Sequence, residues 1–125
     1  MSVNRTPLEA SEQIALFQWA EMAAGRYPEL RMMYHCPNGG FREAREAHNL
    51  RRQGVKAGVP DIVLPVPRGG YHGLYIELKR RKGGRLSDEQ RVWLDRLNRL
   101  GYRAIVCQGW DAAREEIKAY LEADK

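Results

Sequence analysis

Cysteine is scarce in this 125-residue chain: only Cys36 and Cys107 are present, and no local spacing pairs them. A disulfide framework is therefore not expected, and a reducing cytoplasm is the expected setting. Histidine is almost as rare, and no Cys-x-x-Cys or paired-histidine spacing occurs. His35 and Cys36 adjoin, but His48 and His72 lie far away, so a zinc site is not expected. No apolar run reaches membrane-spanning length, and the segment from Met1 to Pro7 lacks the apolar stretch of a secretion signal. Repeats, low-complexity tracts and interdomain linkers are missing too. The expectation is one soluble domain over residues 1–125 with a single mixed core. Acidic residues are in deficit, with 21 Lys and Arg against 16 Asp and Glu for a formal charge of +5. That balance favours a polyanionic partner, although many small proteins share it.

The elements that are present have clear punctuation. Thr6-Pro7-Leu8-Glu9 reads as a helix start, with Thr6 as cap and Pro7 in the first turn. That helix is predicted to run to about Ala24, with Leu8, Ile14, Leu16, Phe17, Ala20 and Ala23 as its apolar positions. Met32-Met33-Tyr34 is predicted as a strand ending in the turn Pro37-Asn38-Gly39-Gly40. A basic helix from Phe41 to Gln53 follows, carrying Arg42, Arg45, His48, Arg51 and Arg52, with Gly54 as its stop. Strands are predicted over Asp61–Val66 and Gly73–Arg80, joined by Pro67-Arg68-Gly69-Gly70. Ser87-Asp88-Glu89-Gln90 is a capping box that opens a helix to Leu100. A strand over Arg103–Cys107 and a helix over Asp111–Ala123, with Ala112, Ile117, Tyr120 and Leu121 apolar, complete the chain. The order is α-β-α-β-β-α-β-α, a mixed sheet flanked by helices. Trp19, Trp93 and Trp110 are expected in the core or at a dimer contact rather than as base-stacking platforms.

Two segments carry the chemistry. Gly58-Val59-Pro60-Asp61-Ile62-Val63-Leu64 sets an acid at the mouth of an apolar strand, and Tyr75-Ile76-Glu77-Leu78-Lys79 follows it. Strand side chains alternate faces, so Glu77 and Lys79 point together while Ile76 and Leu78 enter a core. Glutamate is a poor strand former, and burying it without a partner is costly. A salt bridge to Lys79 or to an arginine is one explanation. The other is a site where two carboxylates and an ammonium converge on a divalent cation, a water and a phosphate, as in a magnesium-dependent nuclease. Asp61 and Glu77 meet only if the hairpin register places them directly opposite one another.

The Pro60-Asp61 and Glu77-Leu78-Lys79 pair resembles the PD-(D/E)XK nuclease superfamily. The ordered set Glu12-Gln13, Pro37-Asn38-Gly39-Gly40, Gly54, Gly58-Val59-Pro60-Asp61-Ile62, Ser87-x-x-Gln90 and Gly101-Tyr102 is similar to the VRR-NUC family, from Glu12 to Val106. This family occurs alone in phages and bacteria and at the end of a eukaryotic DNA-repair nuclease. The resemblance implies a restriction-endonuclease-like fold and a structure-selective DNA endonuclease that uses Mg²⁺, with Mn²⁺ as a substitute and no nucleotide cofactor. It implies Asp61, Glu77 and the Leu78 carbonyl as metal ligands, with Glu12 extending the site directly or through water. Lys79 would orient or deprotonate the attacking water or stabilise the phosphorus centre, and both roles stay open. Gln90 would hold the water or a phosphate oxygen, although capping alone also explains it. Arg80, Arg81, Lys82 and Arg85 form one expected phosphate-contact zone, and Arg52 and Lys56 belong to a second with Arg42, Arg45 and Arg51. A homodimer that resolves four-way junctions is implied, in a cytoplasmic, nucleoid-associated setting. The alternatives are a non-catalytic DNA-binding protein that keeps the fold, and a nuclease preferring flaps or single strands.

Overall fold

A computed structural model describes residues 7–37 and 43–125. The expected Thr6 cap, the Asn38-Gly39-Gly40 turn and the residues Phe41 and Arg42 lie outside them. Four strands form one mixed sheet in the order β1-β2-β3-β4. Strand β1 (Tyr34–His35) pairs antiparallel with β2 (Ile62–Leu64), β2 pairs antiparallel with β3 (Leu74–Lys79), and β3 runs parallel to β4 (Arg103–Gln108). Helix α1 (Pro7–Ala23) opens the described chain, α2 (Ala44–Arg52) joins β1 to β2, α3 (Asp88–Arg99) makes the crossover from β3 to β4, and α4 (Trp110–Leu121) closes it. This is an α/β fold of the order the sequence predicts.

Strand alternation divides the interior. Ile62, Leu64, Leu74, Ile76, Leu78 and Cys107 face α1 and α4, and they pack with Leu16, Ala20 and Ile117 in the main core. Tyr75 and Ala104 face the other way, onto Leu94 and Leu97 of α3. Each face of the sheet is thus covered by its own helices, and Glu77 and Lys79 fall on the α3 side.

The elements differ from the predicted ones in instructive places. Met32 belongs to a short 3₁₀ helix, Pro28–Met32, and the strand begins only at Tyr34. Pro28 pre-sets the first turn, and the burial of Leu30 and Met33, three residues apart, follows the turn's period. Ile14 is exposed rather than apolar-facing, and Ala113 takes the inward position on α4 in place of Ala112. Strand β2 is shorter than predicted, so Asp61 stands one residue before it.

Two glycines set the approach to Asp61 and the turn of the hairpin. Gly58 has φ +91°, and a Cβ there would stand 2.6 Å from the carbonyl carbon of Glu89 in the first turn of α3. Gly70, in the β2–β3 connection, has φ +86° but open space around it. Gly70→Ala is expected to cost roughly 1–2 kcal/mol for the left-handed backbone alone. Gly58→Ala should cost clearly more, because the loop must also move off α3. Urea denaturation of the two variants measures the difference, and equal losses would mean that the Gly58–Glu89 contact is not close.

Candidate active site

Extending the Ile62–Ile76 pairing by one residue sets Asp61 directly opposite Glu77. The connection over residues 65–73 has an odd count, which is the condition for this register. Both side chains lie on the α3 face, beside one another. Asp61 is fixed at three points of its own. Its Oδ2 accepts from the Leu78 amide at 3.0 Å, and its carbonyl accepts from the Cys36 amide at 2.7 Å. The His35 ring, which must donate to a carbonyl, meets that same oxygen through Nδ1 at 3.0 Å. Asp61, Glu77 and Lys79 are all buried, at 6%, 3% and 8% exposure.

Lys79 lies two residues beyond Glu77 on the same face, with Nζ 3.5 Å from Glu77 Oε2. Gly84 holds it from behind, since a Cβ at that position would come within 2.9 Å of the Lys79 Cβ. Gln90 connects these groups to α3. Its Oε1 accepts from the Ser87 amide at 2.9 Å, and the Ser87 hydroxyl accepts from the Gln90 amide at 3.1 Å, which completes the capping box. The same Oε1 accepts from Lys79 Nζ at 3.2 Å, while Nε2 donates to Glu77 Oε2 at 3.1 Å. Capping and site contact are therefore not rivals. One side chain does both, because a glutamine carries an acceptor and a donor at its end.

Glu77 Oε1 is buried and has no hydrogen-bond partner. An orphaned carboxylate oxygen beside a second acid is a strong demand for positive charge. Burial first, then the Asp61 charge, push the Glu77 carboxyl up to about 8, against the pull of Lys79. The donors available here are hard oxygens: two carboxylates and the Leu78 carbonyl. The Lys79 carbonyl points to the β4 side, where it accepts from the amide of Gly109, just past β4, at 2.9 Å. Alternation then turns the Leu78 amide and carbonyl towards the Asp61 side, where β2 has not yet begun. Such a donor set suits magnesium, which binds through one or two carboxylates and keeps several waters.

Glu12 stands apart from this pair. It comes from α1, which packs on the opposite face of the sheet. Its Oε1 accepts from the Trp110 amide at 2.8 Å, capping α4, and its Oε2 lies 3.0 Å from Arg81 Nε. Among the described residues no group of three or more His, Cys, Asp or Glu is placed to hold a metal. The expected basic zone is likewise divided. Lys82 and Arg85 are exposed in the segment that follows β3, and Arg52 and Lys56 are exposed at the end of α2 and after it. Arg80 is half-buried, with Nη2 3.4 Å from the Gly83 carbonyl and Nε lacking a partner. Arg81 is already neutralised by Glu12 and by Asp111, whose Oδ1 is 2.9 Å from Nη1.

Cys36 is the neighbour that motif reading overlooks. Extending the His35–Ile62 pairing sets it beside Asp61, so Cys36, Asp61, Glu77 and Val106 form one row across the four strands. Only the strand registers reveal that row, and the sequence alone does not print them.

The VRR-NUC domain family model matches residues 7–111. The match defines a nuclease-type fold, and the chain belongs to the VRR-NUC family. A solved VRR_NUC domain protein superimposes with a TM-score of 0.81 at 28% identity, over 97% of this chain and 93% of the other. No curated protein matches the chain.

The raised Glu77 carboxyl has a consequence for stability. A carboxyl whose folded pKa of about 8 exceeds its ordinary 4.5 binds its proton more tightly in the folded state. Its contribution is complete below about pH 4.5 and is lost as pH climbs towards 8. Thermal melts in EDTA across this window should therefore show a steeper fall for the parent than for Glu77→Gln, which cannot ionise. Parallel slopes would mean that Glu77 titrates normally.

Proposed function

We propose that the chain is a metal-dependent DNA endonuclease that hydrolyses phosphodiester bonds. The observation that carries this reading is the buried, directly opposed Asp61–Glu77 pair, with Glu77 Oε1 left unpartnered and Lys79 alongside. Asp61, Glu77 and the Leu78 carbonyl would hold Mg²⁺, or Mn²⁺ in its place. A cation there supplies Lewis acidity, drawing charge from the phosphoryl oxygens and acidifying water.

The protein's own groups do the remaining work. The Leu78 amide and the Cys36 amide fix Asp61, so its carboxylate cannot rotate away from the site. Lys79 presents its ammonium to an anion entering beside Glu77, where it can neutralise the phosphate or steer the attacking water. Gln90 keeps both Lys79 and Glu77 in place through its two hydrogen bonds, and it is anchored in turn by the first turn of α3. Lys82, Arg85, Arg52 and Lys56 are exposed and would contact phosphates, which positions DNA without reading its sequence. Arg80 and Arg81 would join them only by leaving the contacts they now make.

The finer reading is a homodimer acting on branched DNA such as a four-way junction. Symmetric cuts in two opposing strands require two active sites related by a two-fold axis, and the described chain contains one candidate site. Light scattering at micromolar concentration should give twice the 14.4 kDa chain mass, and a monomer would remove this part of the proposal.

A panel of labelled junction, flap, duplex and single-stranded DNA in Mg²⁺ and Mn²⁺ tests the activity itself. Asp61→Ala, Glu77→Ala and Lys79→Ala are each expected to lower cleavage by about 100-fold or more while junction binding persists. Binding without cleavage by the parent would instead make the chain a DNA-binding protein that keeps the nuclease fold. Ser87→Ala, which removes the cap hydroxyl but leaves Gln90 intact, is expected to cost about 1 kcal/mol of stability with a much smaller loss of cleavage than Gln90→Leu. Equal losses from the two would mean that Gln90 acts through the helix alone.

A further inference from the structure

A cavity of about 630 Å³ opens between the end of α2, the loop that precedes Asp61, and α3. Its volume lies within the range of small-molecule sites, roughly 300–1,000 Å³. Leu50, Val55 and Val59 give it apolar walls, Trp93 contributes an aromatic surface, and Cys36 closes the side nearest the site. Cys36 occupies the row position adjoining Asp61, one strand spacing of about 4.8 Å away. The cavity and the candidate metal site thus share a wall. Lys56, exposed and lining the cavity, supplies positive charge on the outer side.

We infer that this cavity receives an unpaired nucleobase from the nucleotide adjoining the scissile phosphate. The inference rests on the nuclease reading and extends it to the substrate. A phosphate held between Asp61, Glu77 and Lys79 leaves its neighbouring nucleoside within reach of Cys36, and the space beyond Cys36 is apolar with one aromatic wall. Nucleobases have exactly this need: a flat apolar face to stack and a charged backbone kept at the rim. Trp93 is half-buried, resting on Leu94 and Leu97 of the second core while also lining the cavity. It therefore offers a stacking surface whose position is already set by packing. A continuous duplex holds every base paired and stacked on both sides, whereas a flap offers a free base and a branch point interrupts the stack, which lowers the cost of unpairing one. Preference for branched DNA would follow from this demand for a free base, without any element that reads sequence.

The test uses the full chain and a branched DNA whose cut site has first been mapped. A single abasic residue is walked through the nucleotides on both sides of the cut, and kcat/KM is measured in Mg²⁺. One position next to the cut is expected to lose about tenfold, in line with the loss of one base–aromatic stack, while more distant positions change little. In Val55→Phe, which fills the cavity, cleavage of the intact substrate should fall by a similar factor. Removing the base should then have no further effect, because the two changes delete the same contact. Leu50→Trp fills the volume from α2 and serves as a second variant if thermal melts show Val55→Phe to be poorly folded. Tolerance of every abasic position by an active parent overturns the inference and leaves the nuclease reading intact. An unchanged response to the abasic position in both filled variants does the same. Absence of cleavage by the parent in either metal removes both.

Discussion

Two acids set face to face across an antiparallel strand pair are the constraint around which this chain is arranged. Like charges in that position repel, and burial denies them the water that would screen them. Asp61 and Glu77 accept the position only because other groups surround them: the Leu78 amide on one oxygen, Gln90 on another, and Lys79 close by. Glu77 Oε1 has no hydrogen-bond partner. A proton or a cation can satisfy it, and burial beside Asp61 favours either one.

The sheet makes this arrangement possible by giving its two faces different tasks. Ile62, Ile76 and Leu78 bury themselves against α1 and α4, which supplies the rigidity. The residues between them turn towards α3, whose N-terminal turn arrives beside the acids because the Gly58 loop packs tightly on Glu89. The polar site is thus carried on the reverse side of the strands that form the main core. Displacing either acid would require moving a strand that is fully buried on its other face.

Much of this was legible in the residues. The alternation in Tyr75-Ile76-Glu77-Leu78-Lys79 predicts which side chains share a face, and Ser87-x-x-Gln90 predicts where α3 begins. What the sequence left open depended on contacts between distant segments. Glu12 reads as a candidate metal ligand from its place in the first helix, and its contacts with Arg81 and the Trp110 amide, far along the chain, emerge only in the fold. Arg81 reads as a phosphate contact, and the Asp111 carboxylate beside it is equally a feature of the fold that the sequence does not print. Met32-Met33-Tyr34 has the composition of a strand, but Pro28 starts a tight turn whose period then decides which side chains are buried. Gln90 presented a choice between two roles, and only coordinates could show that its two ends serve both.

That double duty of Gln90 bears on how such a protein could change over generations. If a lineage lost the need to cut DNA, the start of α3 would still require an acceptor at position 90, so the glutamine would persist. Asp61 and Glu77 would face the opposite pressure, since two opposed acids without a cation are a burden that neutral replacements relieve. A surviving glutamine would then be a silent relic, and the missing acid pair the sign that the blade had gone.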